Sequence, residues 1–163
     1  MFSLEIETLA RLLIDEARQR SLRIVTAESC TGGMVAGAIS SIPGASDVLD
    51  RGFICYSNRA KQEMLGIPGD LIADLGAVSE PVARMMAEGA LENSNAHLAV
   101  AITGVAGPGG GSRMKPVGTV HIATARSNHP LRHRAEYFEL ATRQEIQLAA
   151  VQAALEALRE RMS

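Results

Sequence analysis

The sequence predicts an α/β protein: a three-layer α/β/α sandwich around a five-stranded mixed sheet that is mostly parallel. Three observations lead there. Short apolar or β-branched runs alternate with amphipathic stretches along most of the chain. "HLAVAIT" (97–103) is apolar almost throughout, as a strand buried on both faces must be. Near the end, "VGTVHIATA" and "HRAEYFEL" are separated only by a turn around Asn128 and Pro130, too short for a crossover, so this pair is antiparallel.

The elements follow in order. Leu4, Leu9, Leu12, Leu13 and Ala17 recur at helical spacing and predict an amphipathic helix over 4–19. "LRIVTA" (22–27) is a strand, and a helix runs from about Thr31 to Ser41 until Pro43 and Gly44 stop it. "RGFICYS" (51–57) is the second strand, and "NRAKQEMLG" a short helix with Gly66 at its C-cap. Ser79 caps the next helix, with Pro81 in its first turn and Val82, Met85, Met86 and Ala90 on one face. After the third strand comes a glycine-rich loop, "GVAGPGGGSRMKP", and then the antiparallel pair. Thr142 and Glu145 form a T-x-x-E capping box for a long final helix.

The 163 residues suit a single domain, 1–163, with neither a repeat nor a linker. A formal charge of −2 gives no basic footprint for nucleic acid, and 3% aromatics leave no platform on which bases stack. No run approaches the roughly 18 apolar residues of a membrane span, and the acidic start is unlike a signal peptide. The only cysteines, Cys30 and Cys55, make no disulfide framework or CxxC site, so a cytoplasmic protein with reduced thiols is expected. His129 and His133 have i, i+4 spacing, but Pro130 breaks any helix between them and no acid or thiol completes a metal site.

Three clusters carry candidate chemistry. In "ESCTGG", Ser29 stands at the carboxyl end of a strand, where ligands of α/β sheets gather. The amides of Thr31, Gly32 and Gly33 would face outward at a helix N-terminus and stabilise an oxyanion. The alternative is that Ser29 or Thr31 merely caps that helix, which for any one such serine is the commoner case. Cys30 is the better nucleophile chemically, but none of the four histidines is set beside it, and such a residue is more often a small buried hydrophobe. In "CYSNRAK", Tyr56 and Lys61 lie at the end of the second strand. Lysine serves as a base where burial lowers its pKa, and Ser–Lys pairs are a known nucleophile-base variant. Taken singly, Lys61 reads as a solvated helix residue and Tyr56 as a half-buried strand residue. In "TGVAGPGGGS", backbone amides can form a nest for phosphate or carboxylate, although neither the GxxxxGK[ST] nor the GxGxxG pattern is met.

"AESCTGG", "RGFICYSNRAKQEMLG", "GAVSEP" and "TGVAGPGGGSRMKPVGTV" together resemble the CinA C-terminal domain family, the nicotinamide-nucleotide amidases. The likeness runs from about Thr26 to Val120, and the length fits the stand-alone form of that family. Its departures are Val105, where isoleucine is common, and an unusually glycine-rich loop from Gly109. The resemblance implies hydrolysis of the carboxamide of nicotinamide mononucleotide to nicotinate mononucleotide and ammonia, a step of pyridine-nucleotide salvage that uses no cofactor. It implies Ser29 as nucleophile and Lys61 as base, with Tyr56 and Thr103 near the reaction centre. The loop residues Gly104, Gly107, Gly110, Gly111 and Ser112, with Arg143, are then the candidates for the nucleotide phosphate. A helix-start arginine opposes the macrodipole, which itself hints at an anion nearby. The expected partner is the small-molecule nucleotide, and the expected assembly a homodimer or higher homo-oligomer. The alternative is a catalytically idle nucleotide-binding regulatory module, of the competence or damage-inducible kind.

Overall fold

The computed structural model describes residues 1–163. Strands β1 (Ile24–Glu28), β2 (Leu49–Ile54), β3 (Leu98–Gly104), β4 (Thr119–Arg126) and β5 (Arg132–Tyr137) form one sheet in the order β2-β1-β3-β4-β5. β1 pairs in parallel with β2 and β3, while β4 runs antiparallel to both β3 and β5. Four strands therefore point one way and β4 alone opposes them. Helices α1 (Leu4–Gln19), α2 (Met34–Ser40) and α6 (Arg143–Arg161) cover one face, and α3 (Asn58–Leu65), α4 (Gly69–Leu75) and α5 (Glu80–Glu92) the other.

The near-absence of aromatics is met by dividing the core into a bulky side and a small side. Along β3, Leu98, Val100 and Ile102 point to the α1/α6 layer, and Ala99 and Ala101 to the α5 layer, all fully buried. Ala27, Ala123 and Ala125 extend the small side, so α5 settles close on the sheet through Val82, Met86 and Ala90. Each fully buried Ile or Leu on the bulky side stabilises the fold by about 1.5–3 kcal/mol.

The capping residues behave as their chemistry requires. Ser79 Oγ accepts from the amide of Val82, and Gly66 closes α3. At α6, Thr142 Oγ1 accepts from the Glu145 amide at 3.2 Å while the Glu145 carboxylate accepts from the Thr142 amide at 3.0 Å. Two elements differ from expectation. The helix expected from Thr31 begins only at Met34, because Gly32 and Gly33 take φ values of +56° and +102° that a right-handed helix excludes. α4, seven residues long with Pro68 as its N-cap, carries no periodic signal in a segment that short.

Candidate active site

A cleft of about 280 Å³ opens where β1 and β3 end in parallel. Its floor is a serine and a lysine. Lys61 Nζ lies 3.0 Å from Ser29 Oγ and 3.3 Å from the carbonyl of Tyr56. Ser29 is 8% exposed and Lys61 only 1%. Lys61 reaches Ser29 because the Ser57 cap fixes the start of α3, aiming its inward face at the end of β1. No carboxylate pairs with Lys61 and none lines the cleft. Burial therefore pushes the Lys61 pKa below its ordinary 10.5, towards the unprotonated amine.

The turn that presents Ser29 is pinned from several sides. The Ser29 amide donates to Ile102 on β3, and the Gly32 amide to the Ser29 carbonyl at 3.0 Å. Gln147, one turn along α6 from Arg143, donates to the Cys30 carbonyl at 3.0 Å. The strongest hold comes from Glu28, 1% exposed, whose carboxylate accepts from Thr31 Oγ1 at 2.6 Å, the Val35 amide at 2.8 Å and the Ala36 amide at 3.1 Å. These donors satisfy a buried charge and supply the side-chain cap that α2 otherwise lacks.

That arrangement bears on the oxyanion donors expected from Thr31, Gly32 and Gly33. The Thr31 hydroxyl goes to Glu28 and the Gly32 amide to Ser29, while Gly32 and Gly33 line a separate surface hollow beside Met34 and Phe2. The structure does not bring these three residues to the cleft. What it does leave free there are the amides of Cys30, Ala106, Gly107, Gly109 and Gly110, which make no hydrogen bond within the protein.

The other expected residues divide. Thr103 is fully buried at the cleft, its hydroxyl donating to the Ala77 carbonyl at 2.9 Å. Gly104 and Gly107 line it too; a side chain at Gly104 would strike the Thr119 carbonyl at 2.8 Å, and at Gly107, where φ is +79°, Val117 at 2.5 Å. Gly110 also faces the cleft, whereas Gly111 packs on Val117 and the Ser112 hydroxyl is taken by the Lys115 amide. Lys115 Nζ turns away to the Leu75 carbonyl at 2.9 Å. Arg143 spans the mouth, donating to Tyr56 Oη at 2.7 Å and to the Gly107 carbonyl at 2.6 Å. Tyr56 is thus engaged by Arg143 through its hydroxyl, and by Lys61 only through its backbone.

Both thiols are held neutral. Burial pushes the Cys30 pKa up to about 12 and that of Cys55 up to about 11. A Cys30 thiol in this state is a poor nucleophile near neutrality. Sequence reasoning missed Glu28, Gln147 and Asn58; the last lines the cleft one turn before Lys61, its side chain without a protein partner. An acid ending an apolar strand was the one available signal for Glu28. Glu28→Gln should lower unfolding free energy by about 1–3 kcal/mol, since an amide NH₂ would face the Ala36 N–H, a loss readable by urea denaturation. Unchanged stability would mean that the carboxylate is not what fastens this turn.

No helix is long and apolar enough to cross a membrane. The profile of the CinA C-terminal domain matches residues 6–162. A putative competence-damage inducible protein of Caldicellulosiruptor saccharolyticus is 42% identical over 163 residues, covering 98% of this chain and 38% of that one. A CinA-like protein of Prochlorococcus marinus is 54% identical over 119 residues, 73% of this chain and 28% of its own. The chain spans about a third of the length of the curated relatives it matches. Among solved structures, the competence/damage inducible protein CihA of Agrobacterium tumefaciens superposes with a TM-score of 0.96 at 49% identity, covering 98% of this chain and 97% of that one. A CinA superfamily protein of Escherichia coli gives 0.91 at 32% identity, covering 99% and 93%.

Proposed function

The chain belongs to the CinA C-terminal domain family, and on that premise we propose that it is a serine amidohydrolase that deamidates nicotinamide mononucleotide. The observation that carries this reading is the buried Lys61 amine 3.0 Å from Ser29 Oγ, with no acid beside it. A neutral amine takes the Ser29 proton as the oxygen attacks the carboxamide carbon. The free Cys30 amide, next in sequence to the nucleophile, and the amides of the glycine loop stabilise the oxyanion of the tetrahedral intermediate. Lys61, now an ammonium, returns its proton to the departing nitrogen, which leaves as ammonia. Water, deprotonated by the same amine, then cleaves the Ser29 ester, and Lys61 hands that proton to the departing Ser29 Oγ as the nicotinate product leaves. The reaction needs water and no cofactor.

A cleft bearing the Arg143 guanidinium but no carboxylate suits an anionic substrate. Nicotinamide riboside, which lacks the phosphate, should have a kcat/KM at least about tenfold below that of the mononucleotide, the size of one lost charged hydrogen bond. Equal values would leave Arg143 without a ligand. Ammonia release from purified protein and the mononucleotide tests the activity itself. A protein that binds this nucleotide yet releases no ammonia would be the idle regulatory module instead.

A further inference from the structure

At the other end of the molecule, one buried charge lacks a counterion. Arg161, in the last turn of α6, is 3% exposed and its Nε has no hydrogen-bond partner. Its Nη2 donates to the Pro130 carbonyl in the β4–β5 turn, and its own carbonyl accepts from Arg126 Nη1 at 3.0 Å. Arg132 lies opposite Thr124 across the β4–β5 ladder, and Arg126 follows Thr124 by two residues. The pleat thus gives Arg126 and Arg132 the face that α6 covers. None of these three arginines makes an ion pair. Their neighbours do: Arg134 reaches Glu136 at 2.7 Å, and Arg159 reaches Glu16 at 2.6 Å. Burial, with the charges of Arg132 and Arg126, pushes the Arg161 pKa below the usual guanidinium value.

The carbonyl end of α6 supplies only about half an elementary negative charge against three guanidinium groups. Buried charges are ordinarily paired, and Arg161, with its unpartnered Nε, has no acid beside it. A hollow of about 120 Å³ opens on the Arg132 side of the cluster, lined by Arg132, His133, Arg134, Glu160 and Thr124; the last is 3% exposed and its hydroxyl has no partner. Glu160 in that lining faces Arg134, 3.9 Å away. We propose that Arg126, Arg132 and Arg161 form a binding site for a small oxyanion such as inorganic phosphate. The hollow has less than half the 280 Å³ of the cleft, which favours a tetrahedral anion over a nucleotide. Arg126 pairs with Leu98 at the start of β3, and Gly104 of the cleft ends that strand, so about 20 Å separates the two sites.

Isothermal titration with inorganic phosphate, at ionic strength held constant with chloride, tests this on wild type, Arg132→Gln and Arg143→Gln. Arg132 is exposed and makes no bond, so its substitution leaves the fold intact. Arg132→Gln should weaken phosphate binding at this site about tenfold. Arg143→Gln, which alters only the cleft, should retain the site. Absence of saturable binding to wild type, equal affinity in Arg132→Gln, or loss of all binding in Arg143→Gln would each overturn the proposal.

Discussion

Ser29→Ala is expected to abolish ammonia release from nicotinamide mononucleotide, with kcat falling on the order of 10⁴-fold or more, as removal of the nucleophile does in known serine hydrolases. Nucleotide affinity should be nearly unchanged, because the lost oxygen is one small group in a cleft with many other donors. Cys30→Ala is the matched control. Its thiol, pushed up to about 12 by burial, is protonated throughout the working range, so most of the activity should survive. Stability should fall instead, since Cys30 is 6% exposed and belongs to the α1/α6 core. A folded but inactive Cys30→Ala protein, with activity kept in Ser29→Ala, would exchange the two roles.

The second large effect belongs to Lys61. With kcat/KM followed against pH, activity should rise through one ionisation lying below the ordinary lysine value of 10.5, because only the neutral amine accepts a proton. Lys61→Arg should be about as inactive as Lys61→Ala, since guanidinium keeps the charge but cannot be deprotonated in this range. If Lys61→Arg keeps most of kcat, Lys61 serves as a fixed charge and another group is the base. Stability carries an opposite signature. A group whose folded pKa is depressed by burial destabilises the protein most below that pKa, and the cost fades as pH climbs towards the unfolded value. Lys61→Met, close in volume and uncharged, should therefore melt higher than wild type, with the gain greatest at low pH.

The fold was largely legible because its signals are local. Apolar runs marked β1 and β3, and the Thr142–Glu145 box marked the start of α6 within one residue. What escaped depended on backbone signs or on distant partners. Glycines at 32 and 33 look permissive in a sequence, and nothing there says that their φ angles would turn positive and delay α2 to Met34. The Ser29–Lys61 pair was visible as residue types, but its 3.0 Å separation depends on β1 and β2 lying side by side. Glu28 went unassigned because its place at the end of an apolar strand marks it as unusual without naming its partners, the amides of α2. Thr31, Gly32 and Gly33 lie outside the cleft, so in the proposed mechanism the oxyanion draws on Cys30 and the loop instead.

Arg143 enters this picture already occupied. Its two hydrogen bonds, to Tyr56 Oη and the Gly107 carbonyl, fasten α6, the β2–α3 turn and the glycine loop to one another across the cleft. On the proposed function, an arriving phosphate would meet a guanidinium already held by two hydrogen bonds, so little side-chain entropy would remain to be lost. Only two of its five N–H groups are engaged, and where a phosphate takes over those two its net gain is the difference between a dianion and a phenol or amide oxygen. Simple anions without a nucleoside attached gain nothing else from the exchange. In this reading the clasp acts as a threshold, and a ligand crosses it only by adding contacts deeper in the cleft, beside Ser29.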